Sequence, residues 1–176
     1  MHIYCLRHFQ TQNNKKGLLN GENFSVPIEK GEPIIFSSSI DMVLCSPALR
    51  CYQTLYYLIS SMPVCKVVYT KQLLERNLGD LEGKSRVEMA RQYPDIFNGN
   101  RLSIFSTPPN GESFSAFYNR ILEIKKICYK YESKNILVCS HNQTLKMLYF
   151  ILTEQEITQN AWEALSFPYG KITQLI

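Results

Sequence analysis

No stretch of the sequence approaches the roughly 18 consecutive apolar residues that a membrane-spanning helix requires, so a membrane-embedded protein is not expected. The six cysteines at 5, 45, 51, 65, 128 and 139 include no C-x-x-C pair, which leaves neither a metal ribbon nor a dithiol redox motif in view. Six in 176 residues also falls short of a disulfide-stapled secreted domain. Runs of lysine and arginine are missing, and a net charge of +4 is mild, so no nucleic-acid partner is expected. There is no internal repeat and no polar low-complexity tract, and 45% hydrophobic with 19% charged residues is the balance of an ordinary globular domain. The apolar start, Ile3 to Leu6, is too short for a signal-peptide core. The expected location is therefore cytoplasmic, with the cysteines as small buried residues in a reducing compartment.

At this length a single domain over residues 1–176 buries roughly 70% of the surface its unfolded chain would expose. Short runs rich in β-branched and aromatic residues alternate with helical periodicity, the pattern of an α/β layer fold with a mostly parallel sheet. Strands are expected at His2 to Leu6, Asp41 to Cys45, Val64 to Tyr69, Asn135 to Cys139 and Lys171 to Ile176. Ser46-Pro47 reads as a helix start, Ser at the N-cap and Pro at the first position, with Ala48, Tyr52, Leu55, Ile59 and Met62 on one face. Ser85 to Glu88 has capping-box spacing and opens a helix that ends near Pro94. Phe114, Phe117, Ile121, Ile124, Cys128 and Tyr131 recur at helical spacing and predict the longest helix. Between them, Pro108-Pro109-Asn110-Gly111 breaks all periodicity, and residues 98–110 read as a surface loop placed to lie over a site.

Charged groups gather at the carboxyl ends of three of these strands, where open parallel sheets hold ligands. Arg7-His8 ends the first, Arg50 follows the second within one helical turn, and His141 follows the strand that ends at Ser140. Two arginines and two histidines on one sheet edge make a poor core, because unpaired buried charge is costly, and a good anion pocket. Arginine forks match phosphate oxygens, and a helix N-terminus after His141 adds backbone donors. Such a donor set calls for no metal and no cofactor. The expected partner is a small phosphorylated substrate.

Arg7-His8-Phe9-Gln10-Thr11-Gln12-Asn13-Asn14 resembles the Arg-His-Gly-x-Thr-x-x-Asn motif of histidine phosphatases and cofactor-dependent phosphoglycerate mutases. Further segments follow in that family's order: Ser46-Pro47-Ala48-Leu49-Arg50 with Gln53-Thr54, Leu74-Glu75 with Gly79 and Glu82-Gly83, Gly111-Glu112-Ser113, and Ser140-His141. The resemblance implies a three-layer sandwich, helices on both faces of the sheet. It implies His8 as nucleophile, Arg7, Arg50 and His141 as a phosphate clamp, Thr11 and Asn14 as further phosphate contacts, and Glu75 as proton donor. The stretch between Glu82-Gly83 and Gly111 looks most like the branch with α-ribazole and broad-specificity phosphatases. Hydrolysis of a phosphomonoester through phosphohistidine is the implied activity; a phosphoglycerate mutase or a catalytically impaired phosphate-binding relative are the alternatives.

Phe9 and Asn142 stand where the family carries glycines. Phe9 is expected to narrow the pocket or reshape its wall, since bulky residues reach fewer backbone conformations than glycine. Only residues 32–45 separate Gly31 from Ser46, and Pro33 blocks an early helix. A shortened crossover between the first two strands is expected, leaving that flank of the sheet thinly covered and favouring self-association as a homodimer.

Overall fold

The structure, a computed structural model, describes residues 1–60, 64, 66–131 and 135–176. Met62 and Cys65, expected on a helix face and in a strand, lie outside these. Strand β1 (His2–Arg7) leads to a single helical turn, α1 (Gln12–Lys15), then to β2 (Ile34–Phe36), β3 (Met42–Cys45), helix α2 (Leu49–Tyr56), β4 (Leu58–Ser60) and β5 (Lys66–Tyr69). Helix α3 (Arg86–Gln92), a small hairpin of β6 (Phe97–Asn98) and β7 (Arg101–Leu102), and the long α4 (Phe114–Lys130) follow. The chain closes with β8 (Asn135–Ser140), α5 (Asn142–Thr153), α6 (Gln159–Ala164) and β9 (Ile172–Gln174).

The main sheet has the order β5-β3-β8-β1-β9. All its pairings are parallel except β1 with β9. Strand alternation divides the core between the two faces. Ile3, Cys5, Met42, Leu44, Ile136 and Val138 pack with Phe117, Ile121 and Ile124 of α4 and Leu145 and Leu148 of α5. Leu6, Val43, Cys45, Leu137 and Cys139 face the other way, onto Phe9, Ile34, Cys51 and Leu55. This is the expected α/β sandwich. Its second outer layer is unusual, because α2 is joined there by a two-stranded parallel ribbon of β2 and β4.

That ribbon corrects the expected helix. Ile59 belongs to β4 instead of extending α2, since pairing with Ile35 satisfies its backbone across the ribbon. The helix also starts later than Ser46-Pro47 suggests. Its N-cap is Ala48, whose side chain has no polar atom to make a cap bond; the Ser46 hydroxyl, engaged by His141 at 2.8 Å, accepts from Ala48 N at 3.3 Å. Between β1 and β3 there is no full helix, only α1 and β2, as the short crossover requires. Ile35 and Tyr56 lie strongly exposed on this flank.

Residues 98–110 are more ordered than a structureless loop. They include β7 and the fully buried Ile104, and Arg76 fixes them by donating to the carbonyls of Ile104 (3.1 Å) and Ser106 (2.6 Å). Among the described residues no helix is long and apolar enough to cross a membrane.

Candidate active site

The β1, β3 and β8 strands end together, and backbone bonds carry the alignment one residue further. His8 N donates to Ser140 O (3.0 Å) and Ser46 N to Cys139 O (3.0 Å). This brings His8, Arg50 and His141 to one end of the sheet, beside a cavity of about 360 Å³ lined by Arg7, His8, Asn14, Arg50 and Glu75 among others.

His8 is buried, and its Nδ1 lies 2.6 Å from the carbonyl of Phe9. A carbonyl only accepts, so Nδ1 carries the proton and Nε2 keeps its lone pair. Burial, and after it the nearby Arg50 and Arg7, hold the imidazole well below its ordinary pKa. The ring is therefore neutral at physiological pH, the form able to attack an electrophile.

Arg50 is fully buried and held by three acceptors. Its Nε donates to His141 Nδ1 (3.1 Å), Nη1 to Asn23 O (2.5 Å) and Nη2 to Gly21 O (3.0 Å). A guanidinium has five N–H donors, so two remain, one on each terminal nitrogen. The Gly21 turn has a reason to be glycine: φ is +52°, and a Cβ there would sit 2.0 Å from Glu82 Oε1. Glu82 in turn accepts from Glu22 N (2.7 Å) and Leu78 N (3.0 Å), so it positions the loop that positions Arg50.

Arg7 donates to Phe167 O (2.8 Å) and lies over the Tyr169 ring at 3.7 Å. Burial pushes the pKa of both Arg7 and Arg50 below the usual arginine value. Among the described residues neither forms an ion pair with a carboxylate. Two buried side-chain polar atoms of the described residues have no partner, Arg7 Nε and Asn20 Oδ1, and both residues line the cavity. Buried cations with unused donors are costly unless an anion meets them.

Glu75 sits against the first turn of α5. Its Oε1 accepts from Arg76 N and Thr144 N, each at 3.1 Å, while Oε2 accepts from Gln143 N alone (3.2 Å); the Thr144 hydroxyl gives its one hydrogen to Leu74 O at 2.7 Å. The carboxylate thus occupies the helix N-terminus that the sequence suggested would bind phosphate directly. Oε2 is the less engaged oxygen and the one better placed to exchange a proton.

Two expected phosphate contacts have other places. The Thr11 hydroxyl is fully buried and caps α1: it accepts from Asn14 N (3.2 Å) and Asn20 Nδ2 (3.2 Å) and donates to Asn14 Oδ1 (2.9 Å). That cap leaves the amide end of Asn14 as its donor to the cavity. His141 is also fully buried and does not line the cavity. Because Arg50 Nε donates to its Nδ1, Nε2 carries the hydrogen and donates to Ser46 Oγ (2.8 Å). Its ring stands edge-on to His8 at 5.1 Å. His141 is bonded to Arg50 and kept neutral by burial and then by Arg50 itself.

Phe9 does not narrow the cavity. Its ring turns into the core, 6% exposed, edge-on to Tyr57 at 5.7 Å, and its backbone does not have the positive φ that would demand glycine. The space comes from Gly170, where a Cβ would lie 2.0 Å from the Phe9 ring. Asn142 starts α5, and its Oδ1 accepts from Phe167 N (3.2 Å). Residues the motifs did not mark also line the cavity: Arg86, Arg101, Lys146, Trp162 and Tyr169. One of them had a signal in sequence, since Lys146 interrupts the otherwise apolar run from Leu145 to Leu152.

The family model of the histidine phosphatase superfamily (branch 1) matches residues 35–176. The adenosylcobalamin/alpha-ribazole phosphatase of Escherichia coli K12 is 29% identical over 160 residues, covering 84% of this chain and 77% of that protein. A solved structure from E. coli K-12 superposes with a TM-score of 0.80 at 26% identity, over 99% of this chain and 89% of the other. The alpha-ribazole phosphatase of Shigella flexneri has the same fold, with a TM-score of 0.73 at 21% identity over 99% and 89% of the two chains.

Proposed function

From the chain's membership of the histidine phosphatase superfamily, we propose that it hydrolyses phosphomonoesters through a phosphohistidine on His8. The observation that carries this reading is the bond between His8 Nδ1 and the Phe9 carbonyl, which leaves Nε2 unprotonated beside two arginines that have no carboxylate partner among the described residues.

In the first step the Nε2 lone pair forms the N–P bond as the bond from phosphorus to the leaving oxygen breaks. Glu75, protonated at Oε2, gives its proton to the departing alkoxide. Arg7 Nε and the two unused Arg50 donors stabilise the charge spread over the equatorial oxygens, the largest expected contribution in such transfers. In the second step Glu75 takes a proton from water as that water attacks phosphorus, the N–P bond breaks, and inorganic phosphate leaves. The stabilising cations are side chains, so no step needs a metal. Splitting one displacement into two with a positioned nucleophile is the gain of covalent catalysis.

The test is hydrolysis of phenyl phosphate in the presence of a chelator by the wild type and by His8→Ala, with intact mass measured after an acid-free quench. Turnover that survives chelation, is lost by a factor on the order of 10⁴ or more without His8, and passes through an acid-labile phosphoprotein is the expected result. Chelator-sensitive turnover, or turnover retained by His8→Ala, overturns it.

A further inference from the structure

The cavity continues outward from the phosphoryl pocket to a second set of cations on three separate elements. Lys146 projects from α5, Arg101 from β7, and Arg86 from the first position of α3. Lys146 is only 7% exposed. Its Nζ donates to Trp162 O at 2.6 Å and lies 5.2 Å from the Trp162 ring. An ammonium carries three donors, and among the described residues Lys146 has no ion pair. Arg86 is exposed and likewise has none. Arg101 donates to Glu163 O (3.0 Å) and reaches the Glu163 carboxylate at 3.7 Å. Glu163 also accepts from Asn98 (3.0 Å) and Gln159 (2.6 Å), so its carboxylate is shared, and with Glu75 it is set against five cations along the cavity, Arg7, Arg50, Arg86, Arg101 and Lys146.

We infer that this outer wall binds a second anionic group on the leaving-group side of the substrate, so that the preferred phosphomonoester carries a terminal carboxylate or a second phosphate. The inference rests on the phosphatase reading for its orientation: the phosphoryl group sits at His8 and the remainder of the molecule extends along the cavity to Lys146. The Lys146 bond to Trp162 O, in the last turn of α6, also gives this lysine a structural part as a helix-end cation. One bond of that kind leaves two ammonium donors toward the cavity. A buried cation with unused donors is costly, and a ligand anion offsets that cost. Arg86 has no structural duty of this kind, and its charge adds, after burial, to the lowering of the Arg7 pKa. The wall's excess of positive charge thus continues the field of the phosphoryl site instead of closing it.

Two arms test the inference. In the first, phosphonoalkanoic acids of graded chain length, which cannot be hydrolysed, are titrated calorimetrically against their carboxyl methyl esters, and the terminal bisphosphonates against their monoanionic-end analogues. The wild type is expected to prefer the free acid over its ester by about tenfold at one chain length, the effect of a single charge-assisted bond of about 1.4 kcal/mol. In Arg86→Gln, an exposed position whose loss leaves folding intact, and in Lys146→Gln the preference falls toward unity. Preference for the carboxylate over the bisphosphonate, or the reverse, identifies the group. Equal binding of acid and ester at every length, or a preference unchanged in both variants while Lys146→Gln only lowers the melting temperature, overturns the inference. The second arm compares kcat/KM for the matching phosphate esters. Should none be turned over while the phosphonates still discriminate, the phosphatase reading fails and the second anion site stands.

Discussion

At the floor of the cavity Arg7 and Arg50 are tied to backbone carbonyls, whereas at its mouth Arg86 has no ion pair among the described residues and Arg101 is held by the Glu163 carbonyl and that residue's shared carboxylate. Both places gather cations, yet the floor holds both of its arginines on carbonyls, whereas at the mouth Arg101 and Lys146 are held so and Arg86 is exposed. A carbonyl orients a guanidinium without neutralising it, so the floor keeps full charge in a set geometry, as transition-state stabilisation needs. The mouth keeps charge on the exposed Arg86 and Arg101, which suits selection of what is bound. Catalytic power is therefore expected to be lost by altering the floor, and selectivity by altering the mouth.

The largest expected departure from that division is Glu75→Gln. With an alkyl phosphate, whose leaving group needs a proton, kcat falls by about 10²–10⁴-fold; with an aryl phosphate, whose leaving group does not, the loss is much smaller. A leaving-group series in both proteins measures this, and equal losses across the series would remove Glu75 from the proton path. Next in size, Arg50→Lys keeps the positive charge and loses the fork that reaches His141, Asn23 and Gly21. It is expected to lower kcat by about 10²–10³-fold. Near-normal kcat in that variant would mean that charge alone suffices at the floor and that its carbonyl ties are incidental.

The smallest effect is on stability. His8 and His141 are both held well below the ordinary histidine value of 6.5, first by burial and then by Arg50. Each is neutral when folded and takes up a proton when unfolded below that pH, so the unfolded state gains as the medium acidifies. Stability is thus complete above pH 6.5 and declines below it, by about 1.4 kcal/mol per pH unit for each histidine. Urea unfolding between pH 7.5 and 5.5 gives the slope, and His8→Asn is expected to reduce it. A slope that is flat in the wild type would mean that the histidines take up protons in the folded protein as they do in the unfolded chain, and a rise in stability on acidification that the floor holds them charged.

The parts of the site that could be read in the sequence are those adjacent to a strand end. Arg7 and His8 follow the β1 pattern directly, and Arg50 lies in the first turn after β3, so the strand pattern alone brought them to one edge. Glu75 was named through motif order, and its bonds to Gln143 and Thr144 come from a segment almost seventy residues away. The duties of Thr11 and His141 were not legible, because which atom a hydroxyl or ring nitrogen meets depends on neighbours supplied by other elements. Arg76 carried no mark in the sequence and is fully buried, because three carbonyls of remote loops converge on it. The β2–β4 ribbon was hidden for a similar reason: Leu58-Ile59-Ser60 continues a helical pattern until Ile34-Ile35-Phe36 offers its backbone a partner.

Alternation within β1, β3 and β8 fixed which side chains face each layer, and local residue order fixed the places of His8, the proposed nucleophile, and of Arg7 beside it, since both are properties of a few consecutive residues. Tertiary structure alone decided that Phe9 packs against Gly170 instead of entering the cavity, that His141 holds Arg50, and that Lys146 is buried with donors to spare. Each of these depends on atoms brought together from distant parts of the chain, and only the packed fold determines those distances.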